Sequence, residues 1–558
     1  MVTQSNECCL IWHRRDLRLH DNDIYSTLIK KEDFASVSLF IFDEKYFQPQ
    51  PSHVNKDLKC LWSGPFYTQA MIEAVTHLRD QIRGLGGELI VRVGDPWKIV
   101  PEIAEKISAK EIVFSEEPGS YEQQISQQIK EKYIYHTGNS NIHLTTKIGY
   151  TLYHPDDLPH DPNEWSRLAH PKNKKGNKKK SPKQKPVEDL YINTVDVSSH
   201  RFRGKCRIMG DFRKAARSYT TVRKPIEAPS RLCLPHNFSS LGLDSGSIPT
   251  LEQLFHHLNN TRILGLDKSF GRTVLQYAIK RRDERIDVKV NEESALLQLE
   301  TFITSGNAAT ADRSLADVSG GNSSKLSVHF ALGTLSPRKA YWRANQESKE
   351  QVKWIMSHLE MRDFFLFTCF EMGTSFFSSK GLPISKKQNA VEWICPSEKM
   401  EIWTRYCTGD TKIPMIDAAF KELATTGYCS NRVRQNMASV LTKDLGIDWR
   451  AGALLFQFLL RDHCVACNTG NWFYFSGVGP DPKSRHFRTV SQTKRYDPYG
   501  IFIKKWLPEF RSIDDMETIL RPWDHDLDGY RYPIVDPQTQ FTWQDLKLLE
   551  ETGRVTDD

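Results

Sequence analysis

The residues best suited to chemistry lie between positions 322 and 475. In Asn431-Arg-Val-Arg-Gln-Asn-Met-Ala-Ser-Val-Leu, the polar residues Asn431, Arg434 and Gln435 recur at i, i+3 and i+4. A helix puts such positions on one face, and a polar face turned inward is costly unless it meets something polar. The next helix opens at Asp448-Trp449-Arg450, is apolar over 454–460, and delivers Asp462, then Asn468 and the aromatic run Asn471-Trp-Phe-Tyr-Phe475. An Arg–Asp pair, amides and several aromatics together would suit a large planar cofactor; a polar core network with packed aromatics is the competing interpretation. A second cluster, Asn322-Ser-Ser-Lys-Leu-Ser327, precedes the apolar Val328–Leu332. Hydroxyls and backbone N–H groups at a helix start favour a phosphate, although a serine cluster is also a common helix cap. Cys464-Val-Ala-Cys467 is a lone CxxC whose only neighbouring donor is His463. Without a second pair it is read as two buried unpaired thiols, with redox activity or metal binding as alternatives. No metal site is expected.

These residues need elements to position them. The first 150 residues alternate strand candidates (Cys8–Trp12, Val37–Phe42, Glu88–Val93, Glu111–Ser115) with helix candidates near Asn22–Lys30, Phe66–Arg83, Pro96–Ile107 and Tyr121–Lys132. That alternation predicts βαβ units and a doubly wound parallel sheet, in which ligands sit outside the carboxyl ends of the strands. No complete GxGxxG follows the first strand. From about 151 to 249 periodicity is poor and Pro, Lys, His and Ser accumulate, which reads as a long connector with one helical piece at Met209–Ser218. Helices dominate 250–510, clearest at Ser294–Thr304, Ser336–Glu347, Val352–Phe370, Ile416–Thr425, Asn431–Leu445 and Trp449–Leu460. Residues 511–558 carry no strong pattern and are expected to form a tail. The expected architecture is an α/β domain, a connector and a larger all-α domain.

Length and charge fit this plan. A chain of 558 residues exceeds one ordinary core. No apolar run reaches the roughly 18 residues of a membrane span, and strand-like sequence begins too early to leave room for a signal peptide. The net charge of +7 belongs to one segment: 172–185 holds eight lysines, and without them the balance is −1. A solvated loop, a nuclear address or a loose phosphate contact would each account for such a run. Eleven scattered cysteines without framework spacing suggest reduced thiols and an intracellular setting, whether nucleus, cytoplasm or organelle.

Several long motifs carry a family resemblance. They are Trp12-His-Arg-Arg-Asp-Leu-Arg-Leu-His-Asp-Asn22; Phe212-Arg-Lys214 through Ala228-Pro229; Ser323–Ser327 with Leu332-Gly-Thr-Leu-Ser-Pro337; Thr426-Gly-Tyr-Cys-Ser-Asn-Arg-Val-Arg-Gln435 onward to Trp449; Gly470-Asn-Trp-Phe-Tyr474; and Tyr496-Asp-Pro498 with Trp506-Leu-Pro508. With these, over roughly 8–510, the chain resembles the photolyase/cryptochrome family, most closely its DASH branch. Gln435 and Tyr474 are the branch-specific residues; ordinary dimer photolyases resemble this sequence but carry Met and Trp there.

The resemblance implies FAD in the helical domain and light-driven electron transfer from reduced flavin to cyclobutane pyrimidine dimers, preferentially in single-stranded or looped DNA. The expected partner is UV-damaged DNA and the protein a monomer; a blue-light photoreceptor with little or no repair is the alternative. By motif, Ser323, Ser324, Lys325, Leu326 and Ser327 would hold the cofactor phosphates. Arg434 and Asp462 would flank the isoalloxazine, Asn468 would face it, and Arg362 and Cys464 belong to the same site. Trp472 and Trp449 match the inner relay tryptophans; the outer is Trp393, with Trp403 as competitor. Asn431, Arg432, Gln435, Tyr474, His358 and Met361 match lesion-contacting positions, the last two as departures from the family's Glu and Trp. The Cys464 position is usually Asp, and the usual Tyr before the phosphate segment has no match around Ala309–Arg313. Glu117 matches the acidic residue that contacts a 5,10-methenyltetrahydrofolate antenna.

Overall fold

A computed structural model describes residues 8–26, 28, 34–135, 142–170, 208–280, 289–306, 323–381, 391–479, 485–525 and 527–556. The lysine run at 172–185, Ala309–Arg313 and Asn322 lie outside these. Five strands, β1 (Cys8–His13), β2 (Ala35–Phe42), β3 (Leu89–Val93), β4 (Ala109–Ser115) and β5 (His143–Lys147), form one sheet in the order β3-β2-β1-β4-β5. All its ladders are parallel. Helices α1 (Pro65–Gly84), α2 (Pro96–Lys106) and α3 (Ser120–Tyr135) make the crossovers. Strands covered on both faces read as near-continuous apolar runs; every residue of β1 is buried. The helix expected near Asn22–Lys30 opens with a 3-10 turn at 23–25, and most of its remainder lies outside the described residues. One expectation changes: β5 was not foreseen. Its sequence HLTTK buries only Leu144, as an edge strand allows.

The connector is more than a tether. Its helix α4 (Met209–Tyr219) buries Phe212 between Trp165 and Phe364, with ring centroids 5.7 Å away on each side. Leu152, Tyr153 and Leu326 join the same core. Beyond it run α5 (Glu292–Thr304), α6 (Ser327–Leu332), α7 (Pro337–Ala344), α8 (Lys349–Met372), α9 (Pro414–Thr426), α10 (Asn431–Ser439), α11 (Trp449–Leu459) and α12 (Val465–Ser476). α10 does not continue regularly to Leu445; its last turn widens into a π-turn at Val440–Asp444. Nor is 511–558 a loose tail: Leu520, Phe541 and Val555 bury against Val490 in a small core of their own.

Polar residues of the opening motif join the α/β and helical parts. The buried Asp21 carboxylate accepts from Arg338 at 2.7 Å. Glu292 accepts from the Leu19 and His20 backbone at 2.7 and 3.0 Å. Arg18 donates to the carbonyls of Asp21, Gly149 and Gly333.

Candidate active site

Helices α6, α8, α10, α11 and α12 line a cavity with about 1220 Å³ of empty volume, part of it open to solvent. From α12 and its cap come Cys464, Cys467, Asn468, Asn471, Trp472 and Phe475, at i, i+3, i+4, i+7, i+8 and i+11, one continuous helical stripe. α8 contributes Trp354, His358, Met361, Arg362 and Phe365, and α10 contributes Asn431, Arg434 and Ala438. Ser324, Leu326, Ser327 and Phe330 close one end, and Asp462 enters from the loop before α12. The walls are thus aromatic and apolar, with a few polar groups fixed in place, the usual make-up of a cofactor site.

The polar groups are held by the scaffold. Arg434 donates to both Asp462 oxygens at 3.0 and 3.2 Å and to the Cys429 carbonyl at 2.9 Å. Burial works against ionisation of Asp462, but Arg434 and a hydrogen bond from Ser327 outweigh it and hold the carboxyl below its ordinary range. Arg362 donates to the Tyr150 and Phe330 carbonyls at 2.6 and 3.0 Å. The Asn468 amide nitrogen is committed to Ala453 at 2.8 Å, which leaves its carboxamide oxygen as the end for a ligand. Lys325 has a positive φ of 49°, a conformation uncommon outside glycine. That tight turn places Ser324 and Ser327 on the cavity while Ser323 bonds the Tyr428 hydroxyl at 3.0 Å.

The tryptophans form an ordered series. Trp472 lines the cavity, and a Cβ at Gly452 of α11 would lie 2.2 Å from its ring. Trp449 sits one turn earlier on α11, its indole N–H 3.3 Å from the Ser379 carbonyl. Trp393 donates to that same carbonyl at 3.1 Å and is half-buried. One shared acceptor therefore makes Trp449 and Trp393 neighbours. Trp403 is buried elsewhere, bonded to the Leu264 carbonyl at 2.9 Å.

A family described as "FAD binding domain of DNA photolyase" matches residues 354–543, and one described as "DNA photolyase" matches 9–189. Cryptochrome DASH of Danio rerio is 31% identical over 526 residues, covering 92% of this chain and 85% of that protein. The chain belongs to the photolyase/cryptochrome family. Within the family it is most like the DASH branch: Cryptochrome DASH of Gloeobacter violaceus is 29% identical, covering 93% of this chain and 89% of that protein. A Synechocystis cryptochrome structure superposes with a TM-score of 0.73 at 27% identity, over 96% of this chain and 98% of that one. A class III photolyase from Agrobacterium tumefaciens, at 18% identity and a TM-score of 0.70 over 99% of this chain and all of that one, supports the fold.

The cavity residues suit the FAD of this photolyase/cryptochrome chain: a buried ion pair, a free amide oxygen, two hydroxyls and an aromatic wall. Of the expected site residues, Ser324, Leu326, Ser327, Arg362, Arg434, Asp462, Cys464, Asn468, Trp472, His358, Met361 and Asn431 line it. Ser323, Lys325, Arg432, Gln435 and Tyr474 stand outside that lining. Arg432 donates to Gln435 at 2.8 Å and lies 4.3 Å over the Tyr496 ring, so both are held beside the opening. Trp354 was not among the expected site residues. It lines the cavity with the His358 ring packed against it, centroids 4.3 Å apart and tilted by 36°, an i, i+4 pair. Glu117 lies away from the cavity, just past the end of β4 and against Arg15 (3.5 Å) and Arg14 (3.8 Å) from the end of β1. Its Oε1 is buried without a hydrogen-bond partner.

Two buried histidines give the site an acid limit. Burial, then Arg15, brings His463 from 6.5 down to about 3 against the pull of Asp462. Burial and Arg461 do the same to His329, also to about 3. Between those values the unfolded chain binds protons that the folded one does not. Stability is therefore kept above pH 6.5 and falls as pH drops through the window, by about 1.4 kcal/mol per pH unit per histidine. His463→Phe is expected to remove one proton from that slope, read from denaturation midpoints across the window; an unchanged slope would mean His463 charges freely in the fold.

Proposed function

We propose that this protein is a blue-light-driven flavoenzyme that repairs cyclobutane pyrimidine dimers, preferentially in single-stranded or looped DNA. The observation that carries the proposal is one cavity with an FAD-type polar set inside and a solvent-facing rim of Asn431 and His358. Bound, reduced FAD supplies the excited-state electron that splits a dimer. Arg434, Asp462, Asn468 and Arg362 hold and orient the cofactor. Trp472, Phe456, Phe365 and Phe475 line the wall and exclude water. Asn431, Met361 and the Trp354–His358 pair meet the extruded bases, and the rigidly held Arg432 meets the strand. Extrusion is cheapest where pairing is already lost, which favours single strands. Met361 has no planar face, and the tilted Trp354–His358 pair supplies ring surface nearby. The ordered Trp393, Trp449 and Trp472 carry electrons inward to recharge the site.

A methenyltetrahydrofolate antenna belongs to the same proposal. Glu117 stands where the sheet order reverses, between the ends of β1 and β4, the position at which such sheets bind ligands. Its unpartnered Oε1 is the acceptor that a pterin amino group would use. The protein is taken as a monomer acting on DNA inside the cell, in nucleus, cytoplasm or organelle. Two plant relatives are named chloroplastic/mitochondrial, and no helix among the described residues is long and apolar enough to cross a membrane.

The test is illumination of reduced protein with one dimer-bearing sequence presented single-stranded and as duplex. Faster dimer loss from the single strand is expected. Dimers untouched in both forms would leave the photoreceptor alternative in its place.

A further inference from the structure

The Cys464-Val-Ala-Cys467 pair is the reactive feature of the cavity wall that repair does not use. Cys464 caps the twelve-residue helix α12 and Cys467 lies in its first turn. Both side chains line the cavity beside Arg362, Asn468 and Trp472. Both are free thiols, and the Cys467 thiol donates a hydrogen bond to the Cys464 sulfur. One helical turn separates the two, and both face the cavity. That hydrogen bond lowers the Cys464 thiol and, with Arg362 and Arg15 nearby, overcomes the opposing effect of burial. The same hydrogen bond, then burial, raises Cys467. A low thiol at a helix start followed three residues later by a second is the arrangement of a redox-active dithiol. Cys407 and Cys429, by contrast, are buried thiols that burial raises, and they are inert.

We propose that Cys464 and Cys467 form a dithiol/disulfide couple that exchanges an electron pair with the FAD held in the same cavity. This gives the protein a dark, thiol-driven route to reduced flavin beside the light-driven tryptophan route, and it rests on the FAD reading of the cavity. In the forward direction the Cys464 thiolate and Cys467 thiol form an S–S bond and together give up two electrons. The electrons pass to oxidised FAD, and the single proton released, that of Cys467, goes to the reduced flavin. A small dithiol or a phosphine then restores the pair by cleaving the disulfide, so each cycle consumes one reducing equivalent pair and no light. Only the two side chains need to move, since i and i+3 positions at a helix start already face one another.

The experiment uses full-length, FAD-loaded protein kept dark and free of oxygen, with a water-soluble phosphine as reductant. FAD content is measured first, by release on denaturation. Wild type is expected to lose the visible absorption of oxidised flavin, and Cys464→Ser/Cys467→Ser to keep it. In a second sample, wild-type protein is reduced, freed of phosphine and only then given FAD; alkylation and mass spectrometry are expected to find the pair as a disulfide in proportion to the flavin reduced. That thiol count, made on wild type alone, decides the matter if the double variant does not fold. FAD-bound wild type whose flavin stays oxidised while both thiols remain alkylatable overturns the couple and leaves the FAD reading intact. Equal bleaching in the double variant does the same. Protein that holds no FAD overturns the FAD reading itself.

Discussion

Arg434→Ala is expected to destabilise the fold by about 3–5 kcal/mol, the usual consequence of stranding one member of a buried ion pair. Asp462 has 4% of its side-chain surface exposed, and its ionised form depends on the guanidinium 3.0 Å away. Arg461 also favours the ionised carboxyl but contributes less than Arg434, and the Ser327 hydroxyl is a single neutral donor. The same substitution removes a charge-assisted contact from the FAD cavity, about 1.5–3 kcal/mol, or roughly ten- to a hundredfold in affinity. The two effects separate in Arg434→Ala/Asp462→Ala. Removing the stranded carboxylate is expected to restore most of the stability while FAD binding stays weak. Denaturation midpoints of the apoproteins, followed by FAD titration, make the comparison. Wild-type stability and FAD content in the single variant would show that the pair does not support the site. Because burial opposes and Arg434 and Ser327 lower the Asp462 pKa, the pair's contribution is complete above the unfolded carboxyl value of about 4. It is lost only as pH falls further.

Trp472→Phe is expected to abolish light-driven reduction of oxidised FAD without loss of the cofactor. Trp472 is the one tryptophan of the series on the cavity wall, and its ring packs on Gly452, one turn from Trp449 on α11. The next step runs through the Ser379 carbonyl that Trp449 and the half-buried Trp393 share. Phenylalanine keeps the apolar contact with Phe456, whose ring centroid is 5.0 Å from that of Trp472, but it is far harder to oxidise. Photoreduction is followed as loss of the oxidised-flavin absorption under blue light with an external electron donor. Repair by chemically reduced protein should persist, since it begins with the electron already in place. Trp403→Phe, at a ring bonded to Leu264 instead, should leave photoreduction unchanged. Wild-type kinetics in Trp472→Phe would refute the relay.

Much of this was legible in the chain, for physical reasons that also explain what was not. The buried parallel strands announce themselves because both faces must be apolar; β5 does not, because at the edge only Leu144 is covered. The α12 stripe was visible in part, since Asn468, Trp472 and Cys464 fall on one helical face. Its full extent to Phe475 needed the cavity on the other side. Asn431 and Arg434 were placed on one face correctly, whereas Gln435 is drawn aside by Arg432 three residues earlier. Trp354 was invisible because one i, i+4 contact with His358 has no sequence signature. Spacing offers no choice between Trp393 and Trp403; the backbone carbonyl that Trp393 shares with Trp449 is what favours Trp393. The fold of 511–558 was hidden for a similar reason, as Leu520, Phe541 and Val555 meet Val490 without any regular period.

Repair turnover tests the central claim most directly. Reduced, FAD-loaded protein is mixed with an excess of single-stranded DNA carrying one pyrimidine dimer per strand, and the dimers remaining are counted after equal times in blue light and in darkness. The expected result is more dimers removed than protein molecules present in the light, and none removed in the dark. Dimers left intact in the light, with FAD still bound and reduced, would contradict a repair enzyme at this cavity.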